Sequence, residues 1–339
     1  MPTPRDDGCT LTGALSVTTE IRDCATIIHG PAGCAHHNFS LLHALHAARD
    51  RVAPPALIST DMSEKEVIFG GEPLLEETLL QALSHHPEIV CVLSTCVAAT
   101  IGDDVEAICR VPRTTPVLHI PTGGFLGGGF LSGHMEALRA LSRLAANGEK
   151  ALSVNLIGEK TLEYEVSEHF REVSRILQSM GVPVNARFVC ATSVPEIRRL
   201  GNASLNILRD PSMIPLGRSL EDDLGIPFIE SFPLGMEGTL RFMEEVGEAL
   251  SIETSHAIAN EEALQHEMVR TFSSLKGKRV RFSTQYPADG SSRLGYELAD
   301  LFDLEVHEEG NPVPVPDPFP VGTNGIRRLL HRWKRGCHA

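Results

Sequence analysis

The segment Ile27-Ile28-His29-Gly30-Pro31-Ala32-Gly33-Cys34 reads as the end of a strand, a turn and the approach to a helix. A β-branched apolar run over 25–29 stops at Gly30-Pro31, and helical spacing takes over at 36–48. The same alternation repeats outward from it. Apolar runs at 56–60, 88–94 and 116–120 predict strands, and 73–85, 103–110 and 131–145 predict helices. The last of these carries Leu131, Met135, Leu138, Leu141 and Ala145 at helical spacing. Strand–helix alternation of this kind predicts the α/β class, with a parallel sheet covered on both faces.

A second series begins at 152–157 and continues through a helix over 163–180, strands at 182–189, 204–208 and 227–230, and a helix over 238–250. A polar helical stretch at 255–275 then leads to a strand at 279–283, a helix at 291–302 and a Pro-rich loop over 311–320. This pattern predicts tandem Rossmann-like domains over 1–150 and 151–254, with a helical connection and a reduced third α/β domain over 255–339. A chain of 339 residues is long enough for two or three cores.

Acidic residues outnumber basic ones, 44 against 30, and the formal charge of −14 repels phosphate backbones and anionic lipid. Neither nucleic acid nor membrane is an expected partner. Arg5, Asp6 and Asp7 break up the start of the chain, and the longest apolar stretch, 89–101, is interrupted by Ser94 and Thr95. The expected setting is soluble and cytoplasmic. The closing run Arg327, Arg328, Arg332, Lys334, Arg335 reads as a solvated helix face.

Eight cysteines in such a chain are expected as reduced thiols rather than a disulfide framework. Cys34 and Cys96 each follow a predicted strand directly, so both fall on the carboxyl edge of one sheet, where open parallel sheets bind ligands. Cys9 sits in a turn-rich start, free to fold over that edge. Spacings of 25 and then 62 residues match no zinc ribbon, which needs close pairs. Convergent thiolates from separate loops suit an iron–sulfur cluster; the alternative is three ordinary packed cysteines. Cys91 and Cys109 read as small core residues. Gly158-Glu159-Lys160-Thr161 lacks the preceding loop of a P-loop, and Gly123, Gly124, Gly127, Gly128 and Gly129 do not form a dinucleotide fingerprint.

The segments Cys9-Thr10-Leu11-Thr12-Gly13-Ala14, Ile27 to Cys34, Ser94-Thr95-Cys96 and Ile101-Gly102-Asp103-Asp104-Val105-Glu106-Ala107 resemble the nitrogenase component 1 superfamily. Val154-Asn155-Leu156-Ile157-Gly158, Leu205-Asn206-Ile207 and Gly225-Ile226-Pro227 extend the resemblance to about residues 8–250. It implies that Cys9, Cys34 and Cys96 hold a 4Fe-4S cluster at a subunit interface. Three thiolates leave such a cluster one ligand short, to be filled by a second copy, by Asp61 or by solvent. Where nitrogenase anchors its iron–molybdenum cofactor through a cysteine, Arg209 stands, which argues against dinitrogen reduction. The active-site histidine of a Gly-His pair matches Gly133-His134.

The short, single-subunit branch that this chain resembles most comprises the reductive cyclases of methanogenic archaea. These convert nickel sirohydrochlorin a,c-diamide to 15,17³-seco-F430-17³-acid on the route to coenzyme F430. The resemblance implies a homodimer working beside a nitrogenase-iron-protein-like ATPase. Nickel then belongs to the tetrapyrrole substrate, and ATP binds the partner rather than this chain. Arg209 is the expected binder of substrate carboxylates, and His134, His37 and His36 are the expected proton donors. Two other readings are a nitrogenase-type cofactor-assembly scaffold, which keeps the cluster cysteines, and a clusterless tetrapyrrole-binding module, which does not need them.

Overall fold

A computed structural model describes residues 8–48, 56–163, 165–283, 289–316 and 318–337. Arg5, Asp6 and Asp7 lie outside the described residues. The first third of the chain runs α1 (Thr10–Thr18), β1 (Cys24–His29), α2 (Ala32–Ala48), β2 (Ala56–Ser59), α3 (Glu64–Phe69), α4 (Glu72–Leu83), β3 (Ile89–Ser94), α5 (Cys96–Ile101), α6 (Val105–Arg110), β4 (Val117–Pro121) and α7 (Phe130–Ser142). Its four strands pair in parallel in the order β2-β1-β3-β4. The central strands β1 and β3 are buried at all six positions, whereas the outer β2 and β4 are partly exposed. That difference explains why β1 and β3 read as continuous apolar runs: a strand flanked by two others and covered on both faces meets no water on either side.

The middle of the chain supplies β5 (Asn147–Ile157), α8 (Val166–Ser179), β6 (Val184–Phe188), α9 (Val194–Arg198), β7 (Gly201–Leu208), α10 (Ile214–Leu224), β8 (Phe228–Ile229) and α11 (Gly235–Leu250). A second parallel sheet results, in the order β6-β5-β7-β8. Polar side chains inside its central strands satisfy one another: Asn155 Nδ2 donates to Asn206 Oδ1 at 2.9 Å and Asn185 Nδ2 to Asn155 Oδ1 at 2.8 Å. After α12 (Ser255–Thr271) come β9 (Arg279–Ser283), α13 (Asp289–Leu301), β10 (Glu305–Val306), β11 (Asn311–Pro314) and α14 (Gly322–Gly336). These strands form a third parallel sheet, β10-β9-β11.

The Pro-rich stretch expected as loop is therefore in part a strand. β11 lies at the sheet edge, where Pro312 and Pro314 forgo only donors that would otherwise have no ladder partner. The start of the chain differs too. Rather than a free turn, Cys9 caps α1, a helix buried at every position and therefore without the polar face that marks a surface helix.

Two glycines allow that burial. A Cβ at Gly13 would fall 1.9 Å from the Phe130 carbonyl oxygen, and one at Gly133 would fall 1.8 Å from that of Thr10. α1 and α7 thus cross backbone against backbone. The Thr161 hydroxyl then donates to the Ser16 carbonyl at 2.6 Å, tying α1 to the second sheet. A buried cluster joins the second sheet to the third: Arg175 donates to Glu172 and Glu261, and Asn324 donates to Glu172. Among the described residues no helix is long and apolar enough to cross a membrane.

Because the blocking atoms at the α1–α7 crossing are backbone, Gly133→Ala is expected to cost about 3 kcal/mol in chemical denaturation of the apoprotein. Gly33→Ala, whose added Cβ meets nothing within 4 Å, is expected to stay within about 0.5 kcal/mol of wild type.

Candidate functional site

The carboxyl edge of the first sheet brings the three predicted thiols together at the starts of three helices. Cys9 is the residue before α1, Cys34 lies in the first turn of α2, and Cys96 opens α5. Cys9 is exposed and the other two are half-buried. Burial, and then the neighbouring Cys9 and Cys96 thiolates, push the Cys34 thiol above its usual range. Cys9 and Cys96 thus lie near enough to Cys34 for their charges to act on it.

Among the described residues, no three His, Cys, Asp or Glu side chains close around a single ion. A set of thiolates from three separate loops, beside the open space at Gly33, fits a multi-iron sulfide cluster rather than a mononuclear metal. Asp61, exposed and with a positive φ of 52°, lies just beyond β2 on the same edge.

Hydrogen bonds that the sequence reading did not identify hold this edge. His29, the last residue of β1, meets Asp103 through Nε2 at 2.9 Å. His119 lies 2.8 Å from Ser94 Oγ and 3.0 Å from Glu106 Oε2. The only sequence signal for these pairs is a polar residue at the end of an otherwise apolar strand.

A second site lies between the first two sheets, at the carboxyl end of β5 and against α7. It is a narrow cleft with about 20 Å³ of internal space, and its walls include Phe130, His134, Lys160, Glu163, Ser212 and Met213. His134 is buried, stacks on Phe130 with centroids 5.9 Å apart, and lies 3.0 Å from Ser16 Oγ. The Ser16 hydroxyl donates to the Gly13 carbonyl oxygen, so its oxygen accepts from Nδ1–H of His134. Lys160 pairs with Asp210 at 3.3 Å.

Arg209 is buried just beyond β7, 3.5 Å from Glu163 Oε2 and 4.7 Å above the Phe232 ring. It stands one layer behind the cleft wall. His36 and His37, expected in or beside the cavity, are exposed on α2 beyond Cys34 and do not line this cleft. Their helix leaves the first sheet on the thiol edge rather than toward the second. None of the eight cysteines lines the cleft, and Cys190, at the edge of the second sheet, is buried against Glu20.

Also buried behind the cleft is His169, with Glu163 and Glu165 at 3.7 and 3.8 Å, beyond hydrogen-bonding reach. Burial first, then the positive charges of Arg209 and Arg328, push its pKa down to about 3. Its folded pKa thus lies below the unfolded value near 6.5, so the unfolded chain binds the extra proton between those limits. Stability is therefore lost as pH falls from 6.5 toward 3. Urea denaturation of His169→Gln across that window is expected to show a shallower acid-side loss than wild type, by up to about 1.4 kcal/mol per pH unit.

The model for "nitrogenase component 1 type oxidoreductase" matches residues 9–287. The nitrogenase iron-molybdenum cofactor biosynthesis protein NifE of Nostoc sp. is 30% identical over 298 residues, covering 82% of this chain and 60% of that protein. NifE of Clostridium pasteurianum is 29% identical over 286 residues, covering 80% of this chain and 61% of its own. This chain thus spans about 60% of the length of these relatives. The solved structure of nitrogenase Cp1 at pH 6.5 shares the fold with a TM-score of 0.69 at 23% identity, over 90% of this chain and 62% of that one. With its parallel sheets flanked by helices, the chain belongs to the nitrogenase component 1 type oxidoreductase family.

Proposed function

We propose that this chain is the catalytic subunit of a nitrogenase-like, ATP-dependent reductive cyclase. It reduces nickel sirohydrochlorin a,c-diamide and closes the lactam ring to give 15,17³-seco-F430-17³-acid, with electrons from an iron-protein-like ATPase. The observation that carries the reading is the make-up of the cleft: its walls offer Lys160, His134 and, one layer behind, Arg209, and no thiol. Soft iron takes thiolate, so a cleft without cysteine is poorly suited to anchoring a metallocluster as cargo. Cationic side chains at a largely apolar cleft suit a carboxylate of an organic substrate.

In this reading Cys9, Cys34 and Cys96 would hold a 4Fe-4S cluster, which supplies one-electron transfer when bound. Lys160 and Arg209 receive substrate carboxylates. The 3.5 Å contact from Arg209 to Glu163 is at the long limit of hydrogen bonding, so a carboxylate of the substrate competes for the guanidinium. With Nδ1–H committed to the Ser16 hydroxyl oxygen, Nε2 of the neutral ring is an acceptor, so His134 would relay protons, taking one from solvent at Nε2 and passing it from there to the substrate. Exposed Ile68 and Phe69 on α3, which packs against α5, and Phe125, in the turn that brings Gly124 against Thr10, flank the thiol edge. Apolar side chains so placed support a second copy of the chain meeting this edge.

A cofactor-assembly scaffold is the second reading, favoured by the similarity to NifE. The two separate in one assay. Anaerobic incubation with the ATPase partner, ATP, reductant and the nickel tetrapyrrole is expected to change the substrate's visible spectrum, and omission of partner or ATP is expected to abolish the change. A scaffold releases its ligand unaltered. His134→Ala is expected to lower turnover about 100-fold with substrate affinity retained. Arg209→Ala is expected to weaken substrate binding at least tenfold, and to destabilise the apoprotein by about 1 kcal/mol through loss of its long contact with Glu163. Unchanged affinity in Arg209→Ala would assign that residue to the Glu163 ion pair alone.

A further inference from the structure

We infer that His29 and Asp103 form a positioning pair that holds the loops bearing Cys34 and Cys96 in one register. The inference rests on the reading of the three thiols as cluster ligands, and deepens it.

The segments that follow β1, β2 and β3, and the turn between α3 and α4, meet at this pair. His29 Nε2–H donates to Asp103 Oδ2 at 2.9 Å, and Nδ1 lies 3.3 Å from Thr60 Oγ1. That same hydroxyl oxygen accepts the Gly30 N–H at 3.0 Å, and the Met62 N–H donates to the Gly30 carbonyl at 3.0 Å. Asp103 in turn accepts the Gly71 N–H at 3.0 and 3.2 Å through its two oxygens. The Asp103 N–H donates to the Ala98 carbonyl within α5, the helix that Cys96 opens. Finally, the Thr95 N–H, next to Cys96, donates to the His29 carbonyl at 3.0 Å. One continuous chain of hydrogen bonds therefore runs from the turn before Cys34 to both ends of the Cys96 helix.

Packing leaves this chain no slack. A Cβ at Gly71 would fall 2.9 Å from His29 Cε1 and 2.7 Å from Asp103 Oδ2, and one at Gly30 would fall 2.1 Å from Thr95 Oγ1. The His29 and Asp103 side chains are 0% and 3% exposed. Water cannot replace a lost partner there, so removing either side chain leaves the other buried and unsatisfied. Burial holds His29 below its usual pKa, consistent with a neutral ring donating to a carboxylate. The other histidine–carboxylate pair of this edge is different in kind: Glu106, opposite His119, is 46% exposed, and solvent can take its place.

The test uses the full chain, reconstituted anaerobically with iron and sulfide, in wild type, His29→Ala, His29→Gln, Asp103→Asn and Glu106→Gln. Three quantities are read: bound iron and sulfide, the low-temperature EPR spectrum after reduction, and the rate of iron loss to a ferrous chelator. Thermal unfolding of each apoprotein is recorded beside them. His29→Ala is expected to lose iron at least tenfold faster than wild type with an altered EPR signal. His29→Gln, whose amide N–H reaches toward the Nε2 position, is expected to recover to within about threefold, and Glu106→Gln to match wild type.

If His29→Ala does not fold, Asp103→Asn decides, with the same tenfold criterion. Iron loss at the wild-type rate in His29→Ala and Asp103→Asn, even with lower unfolding temperatures, would overturn the positioning role and leave a merely structural one. A wild type that takes up no iron overturns the cluster reading itself and the inference with it.

Discussion

Backbone contact between α1 and α7 is the constraint on which both sites depend. Gly13 and Gly133 let the two helices approach until a single added methyl would strike a carbonyl oxygen. At ordinary interhelical distances, side chains fill the gap and set the spacing. Here the gap is absent, so the position of α1 is dictated by main chain and tolerates no adjustment. Cys9 stands at the start of that helix and Ser16 near its end, the first facing the thiol edge and the second meeting His134 in the cleft. At about 1.5 Å rise per residue, the seven steps from one to the other span about 10 Å. One short buried helix thus sets the distance between the thiol edge and the cleft.

Electrostatics separate the two places in the same way. With a net charge of −14, the surface as a whole disfavours anions, yet the cleft gathers the cations Lys160 and Arg209 in and behind its wall. Buried cations are costly unless paired, which is why Glu163, Glu159 and Asp210 accompany Arg209, Arg187 and Lys160. Pairing in place of solvation lets the cations sit in the interior of an acidic protein, at the expense of being partly committed before any ligand arrives.

Much of this was legible in the residue order. β1 and β3 are continuous apolar runs because they are central, and the turns after them carry Cys34 and Cys96, so strand position and thiol position were read together. β11 was not legible: Pro312 and Pro314 argue against a strand until its place at a sheet edge is known. α1 was hidden for a related reason, since a helix buried on every side has no polar face to give it a period.

By itself the sequence determined the α/β class, the alternation of strand and helix along most of the chain, and that Cys34 and Cys96 stand directly after strands. Those follow from local periodicity and turn chemistry, which neighbouring residues carry. Only the tertiary structure decided that His36 and His37 lie outside the cleft, that Arg209 faces Glu163, and that His29 closes on Asp103, 74 residues along the chain. Side-chain partners at such separations are chosen by how sheets and helices pack, and packing geometry is written in the sum of many contacts rather than in any one stretch of chain.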